Sequence, residues 1–325
     1  MVSAPTPVPV EHVSFKNLQL QPDHPPHSAW GLWGPDDQLG CLNRLTPDRI
    51  RAAATEVKTG VSIGLNWSLN EMHIPPFYRT KLKHEIFQLG ENVNDDRVEF
   101  NTQTSSQWDG FRHWGYPDGR FYNGFTQTEL KAMTSERNGM QEWAKRGIVG
   151  RGVLIDYVKY AKDSGLPYDP WSATSISVST VKEIARKYTI TFQPGDILLL
   201  RTGFVERYSS LSEDELQKKM ESKEMAYPGL TGSLESLEWL WETQFSCVAS
   251  DSPGFEVWDA GLAGMENLMH PTLLSGFGMP IGELFDLEEL SKQCAKEGRW
   301  TFMFTSEVLN IPGGVASPPN ALAIL

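Results

Sequence analysis

Between residues 150 and 255 the chain switches repeatedly between two hydrophobic periods. Short apolar runs, GVLIDYV (152–158), ILLLRTG (197–203) and CVASD (247–251), suit buried strands. Between them, VKEIARKY and SLESLEWLWETQF (233–245) carry apolar residues at helical spacing, the first with Ser179 or Thr180 as its cap, the second after Ser233. Pro194-Gly195-Asp196 turns the chain into the second strand. Upstream, Thr46 and Pro47 form an N-cap and first-turn pair that opens a helix over DRIRAAATEV. VSIGLNWSL (61–69) alternates like a half-buried strand, and WTFMFTSEVLNI and ALAIL predict two more strands about the turn PGGVASPPN. Residues 70–130 follow neither period and read as loops and short strands around a site.

Alternating helix and strand argues for an α/β fold. A Pro-rich stretch over residues 1–28 reads as an extended arm, and residues 29–325 as a single domain, since no linker divides them and no repeat of fixed period is present. The charge balance of -12 disfavours a nucleic-acid partner, because affinity for a phosphate backbone comes from basic groups. Nowhere do eighteen apolar residues follow one another, so no membrane partner is expected. Three dispersed cysteines, Cys41, Cys247 and Cys294, form neither a disulfide framework nor a thiolate zinc motif. With no secretory signal pattern at the N-terminus, a cytoplasmic location is the expectation.

Two polar islands could carry chemistry. In the first, an extended backbone from 103 to 113 would project Gln103, Gln107, Asp109 and His113 to one face, where amide oxygen, carboxylate and imidazole could hold a cation. On spacing alone, a polar strand edge whose Asp and His only satisfy backbone groups is the simpler explanation. In the second, His270 precedes PTLLSGFGMPIG and Glu283 follows; the glycines predict a tight turn and a short buried strand that presents Glu283 from a rigid element. A buried carboxylate needs a partner, and a metal or a histidine would serve. The remaining histidines, His12, His24, His27, His73 and His84, lie in the arm or in polar loops and read as solvated side chains. No G-x-S-x-G elbow supports a serine hydrolase.

The islands, in this order, resemble those of the kynurenine formamidase and cyclase family of metal-dependent hydrolases. Its signature H-x-G-T-H-x-D-x-P-x-H, followed much later by a His and then a Glu, places its Asp on Asp109, its last His on His113 and the later pair on His270 and Glu283. WGPDDQLGCLNRLTPDRI (33–50), GDILLLRTGF (195–204), VASDSPGFEVW (248–258) and PGGVASPPNALAI (312–324) also resemble family segments, so the likeness covers residues 30–325. Two signature histidines fall on Gln103 and Gln107, and Gly-Thr on Ser105-Ser106. A neutral amide oxygen binds zinc less well than imidazole, which argues against a two-zinc site.

The resemblance implies a mixed, barrel-like sheet flanked by helices and one divalent ion, Zn or Mn, held by Asp109, His270 and Glu283 with Gln107 or Gln103 or water. It implies His113 as general acid and base, and a hydrolase or cyclase working on an amide, lactam or lactone bond of a small molecule. Trp108, Trp114, Tyr116 and Phe285 are candidates for the wall of a pocket for an aromatic or polyketide-like substrate. Family members form dimers or tetramers, so a homodimer or homotetramer is expected. Two alternatives stand beside this reading: a metal-free dehydratase or isomerase using His113 and Glu283, and a catalytically silent binding protein.

Overall fold

A computed structural model of the chain describes residues 10–75, 77, 79–221, 226–259 and 269–325. Apolar runs in the sequence become the middle of one curled, mixed, nine-stranded sheet. From edge to edge its strands are Ser62–Gly64, Leu322–Ile324, Thr301–Ser306, Ile148–Asp156, Ile197–Arg201, Cys247–Ser250, Ile281–Glu283, Gln107–Asp109 and Ala316–Ser317. The run from Ile148–Asp156 to Ile281–Glu283 is parallel, and the remaining pairs are antiparallel. Every residue of Ile197–Arg201 and Cys247–Ser250 is buried, as parallel strands covered on both faces require.

Thr46 caps the helix Pro47–Ala54 through Arg49 N–H, and Ser233 caps Leu234–Glu242 through Ser236 N–H, both as expected. The helix Val178–Lys187 is capped by Ser177, not by Ser179 or Thr180. Thr180 is the residue whose N–H donates to the Ser177 hydroxyl, at 3.1 Å, so the helix begins three residues before the Val181 start of its apolar pattern. Only Ser62–Gly64 of the predicted strand over 61–69 joins the sheet. Beyond it Trp67 N–H turns to the Ser106 hydroxyl at 2.6 Å.

The irregular stretch holds a long hairpin, Lys83–Gly90 with Val93–Glu99, that no period announced. It lies almost wholly in solvent, so no buried face imposed an alternation. The described part of the Pro-rich arm, residues 10–28, packs on the chain's own body. Phe15 and Leu18 are buried, Phe15 N–H donates to Glu242 at 2.6 Å, and Trp241 Nε1 donates to the Val13 carbonyl at 2.7 Å. All three cysteines are buried and free. Among the described residues no helix is long and apolar enough to cross a membrane.

Candidate functional site

The two polar islands meet because their strands pair. Gln107–Asp109 runs antiparallel to Ile281–Glu283, with Gln107 opposite Glu283 and Asp109 opposite Ile281. Alternation along the first strand sends Gln107 and Asp109 to one side and Trp108 to the other. Glu283 ends the last of the parallel strands, and ligands in such sheets bind beyond the carboxyl ends. Leu284 then takes a positive φ of 54°, held by Leu284 N–H to the Ser252 carbonyl and by the Ser106 hydroxyl on the Leu284 carbonyl.

His270 stands at the start of a π-helical turn, Pro271–Phe277. The Ser275 hydroxyl donates to the Trp114 carbonyl at 2.7 Å, which ties this turn to the loop carrying His113. At its far end Cys41 N–H donates to the Gly278 carbonyl at 2.7 Å. This approach demands glycine: a Cβ on Gly40 would sit 2.1 Å from the Gly278 oxygen.

Asp109, His270 and Glu283, all buried, each offer one ligand atom within 4.8 Å of the others. His270 Nε2 lies 3.0 Å from Glu283 Oε1 and 3.9 Å from Asp109 Oδ2. Gln107 Nε2 donates to Glu283 at 2.6 Å and reaches Asp109 at 3.4 Å; Gln103 Nε2 donates to Asp109 at 2.7 Å. Both glutamines therefore present amide nitrogen to the carboxylates. The predicted extended run is a strand only over 107–109, and Gln103 and His113 reach the site from turns on either side. His113 Nε2 lies 3.6 Å from Asp109 Oδ2, and its Nδ1 3.2 Å from Gln103 Nε2. Among the described residues, Asp109 Oδ2 and Gln107 Oε1 are buried without a hydrogen-bond partner. Two orphaned acceptors beside two carboxylates and an imidazole are a donor set that a divalent cation fits.

Glu256 completes the centre and was not legible as a site residue; it appeared only as a polar position inside VASDSPGFEVW. Its Oε1 accepts from His270 Nδ1 at 2.7 Å, from His270 N–H at 3.1 Å and from Met269 N–H at 2.9 Å, and its Oε2 lies 2.8 Å from Nδ1. Tying Nδ1 this way aims Nε2 at Asp109 and Glu283, the arrangement that orients metal-binding imidazoles. Burial alone would strip His270 of its proton. Glu256 first and then Glu283 outweigh it and hold the imidazolium well above the ordinary range. Burial, then the neighbouring Asp109 charge, pushes the Glu283 carboxyl up. Burial lowers His113, so this imidazole is neutral near pH 7.

A cavity of about 380 Å³ opens onto this centre, with Arg79, His113, Trp114, Tyr227, Trp258 and Glu283 in its wall. Of the four candidate wall residues, Trp114 lines it. Trp108 lies on the opposite face of its strand, packs on Phe285 and Phe304 and donates its Nε1 to the Ser306 hydroxyl; Trp108 and Phe285 are fully buried core. Tyr116 packs on Trp30 and reaches the Pro26 carbonyl, outside the cavity wall. Strand alternation decided the placement of Trp108, and Tyr227 and Trp258, stacked at 6.3 Å, supply the wall instead. His12, His24, His27, His73 and His84 all lie away from the centre; His12 and His84 pair with Glu242 and Asp96 near the surface.

Fold and site together define an α/β protein with a buried acid–imidazole centre at the carboxyl end of its parallel strands. The family model described as "Putative cyclase" matches residues 31–257, more than two thirds of the chain, and the chain belongs to that family. A crystal structure described as a novel cyclase shares 28% identity over 92% of this chain and 99% of its own, with a TM-score of 0.81. Isatin hydrolase A from Labrenzia aggregata, bound to benzyl benzoate, aligns at 16% identity over 83% of this chain and 94% of its own, TM-score 0.57. Isatin hydrolase A from Ralstonia solanacearum aligns at 17% over 84% and 93%, TM-score 0.56. These two likenesses are of fold. No curated protein matches the chain.

Proposed function

We propose that this protein is a metal-dependent hydrolase that opens an amide, lactam or lactone bond of a small aromatic or polyketide-like molecule, or closes it in reverse. The observation that carries this is the convergence of Asp109, His270 and Glu283 with the unpartnered Asp109 Oδ2 and Gln107 Oε1. A divalent ion, Zn or Mn, held by these three side chains would supply Lewis acidity toward a carbonyl and a water molecule. Gln103 and Gln107 brace the carboxylates as amide donors and leave Gln107 Oε1 as the fourth protein atom that could join. His113, neutral and in the cavity wall, takes the proton of the attacking water and returns it to the departing nitrogen or oxygen. Trp114, Tyr227 and Trp258 offer flat apolar surface to an aromatic substrate and keep bulk water out.

A metal-free dehydratase or isomerase is the second reading. It is favoured by the raised Glu283 carboxyl, which could stay protonated as an acid opposite the His113 base. Elemental analysis of the purified protein, with hydrolysis of aryl formamides, isatin and aryl lactones followed before and after Mn or Zn addition, separates the two. Absence of a stoichiometric ion, and no gain of hydrolysis on adding one, would sink the first reading. A homodimer or homotetramer in the cytoplasm belongs to the same proposal, and a mass measurement in solution tests the assembly.

A further inference from the structure

The cavity wall is largely apolar, and its two carboxylates, Glu256 and Glu283, are both bonded to His270. Arg79 stands among them as the one lysine or arginine in the described lining. Its Nη1 donates to the Gln103 carbonyl at 2.7 Å, and its guanidinium sits 5.2 Å from the Phe77 ring centroid. It makes no ion pair with a described residue, although carboxylates line the same cavity. A guanidinium carries five N–H donors in a rigid plane. One is used here, which leaves the others free for a planar anion. The backbone beside it is anchored too, since the Thr104 hydroxyl donates to the Thr80 carbonyl at 2.8 Å. The fork is thus preplaced.

We propose that Arg79 selects substrates bearing a carboxylate near their aromatic ring, pairing with that group while the ring lies against Trp114, Tyr227 and Trp258. This deepens the hydrolase reading and rests on the same cavity being the substrate site. A planar guanidinium offers a carboxylate two parallel N–H bonds, a match of shape that the His270 imidazolium, held between Glu256 and Glu283, does not provide. Two roles meet in the residue: the carbonyl bond positions the Gln103 turn, and the remaining donors take the ligand.

The test uses binding, not turnover, on full-length metal-loaded protein. Benzoate and its neutral isostere benzamide are titrated by calorimetry and by quenching of Trp114 and Trp258 fluorescence, in wild type, R79M and R79K. Wild type should prefer benzoate. R79M should lose benzoate affinity by about 10- to 100-fold, as expected for a charge-assisted hydrogen bond, with benzamide changed by less than about threefold, and R79K should fall between. Loss of both ligands to the same degree would assign Arg79 only to holding the Gln103 turn and overturn the proposal, as would equal binding of the two ligands by wild type. Repeating the titration on chelator-treated protein separates the two readings. Selectivity that survives metal removal and vanishes in R79M belongs to Arg79 whether or not the hydrolase reading stands. Selectivity that vanishes with the metal and ignores R79M refutes the role.

Discussion

Replacing Glu256 with Gln probes the centre through a residue that would orient His270 without itself holding the ion. Glu256 accepts three hydrogen bonds, two from backbone N–H groups and one from His270 Nδ1. A glutamine of the same shape keeps its oxygen where Oε1 lies but puts an NH₂ where Oε2 lies, 2.8 Å from Nδ1. A donor then faces a donor. With the carboxylate charge gone, the His270 imidazolium gives up its Nδ1 proton and keeps the one on Nε2, the atom 3.0 Å from Glu283 that the cation needs free. The variant loses a charge-assisted hydrogen bond worth about 1.5–3 kcal/mol. Loss of such an outer partner costs about 10- to 100-fold in metal affinity. A competition titration of Mn²⁺ or Zn²⁺ against a chelating dye at pH 7.5, with circular dichroism to confirm the fold, reads the change directly. An E256Q protein that is folded and binds the ion within about twofold of wild type would refute the orienting role.

Three further outcomes are expected. His113→Ala should cut turnover of a hydrolysed substrate by about 10²- to 10⁴-fold while metal affinity stays within a fewfold, and activity near wild type would remove His113 from proton transfer. Burial raises Asp251 to about 6, outweighing its bonds from Thr202 and Gly203. A folded-state pKa above the unfolded one makes this contribution fully present below the unfolded value of 3.8 and lost as pH rises through about 6. Wild type measured against D251N by urea unfolding should therefore lose up to about 3 kcal/mol of relative stability between pH 4 and pH 7.5, and a flat difference contradicts the assignment. Gly40→Ala, with φ at +52° and a carbonyl 2.1 Å from the new methyl group, should cost more than about 2 kcal/mol in thermal or urea unfolding and weaken metal binding through the displaced Gly278. An unperturbed melting curve counts against that close approach.

Local signals carried well where a single element settles the matter. Thr46 and Ser233 cap their helices because an N-cap is a contact within four residues. The buried strands 197–201 and 247–250 were readable from unbroken apolar runs. Signals failed where solvent removes the pattern, as in the hairpin Lys83–Gly90 and Val93–Glu99, or where several hydroxyl residues in a row offer competing caps, as at Ser177 against Ser179 and Thr180. Asp109, His113, His270 and Glu283 were picked out by residue type, order and resemblance. Trp108 and Phe285 illustrate the opposite case, since being aromatic beside a site in sequence says nothing about whether a ring turns to the cavity or to the core.

From its amino acids alone, then, the chain determined the α/β alternation, because periodicity and capping act over a few neighbouring residues, while Asp109, His113, His270 and Glu283 stood out only by residue type, order and resemblance. Only the tertiary structure decided that Gln107 lies opposite Glu283, that Glu256 steers His270 and that Arg79 faces the cavity. The first two of these contacts join residues 176 and 14 positions apart, and their formation depends on strand register and on the burial of charge, neither of which leaves a mark in local sequence.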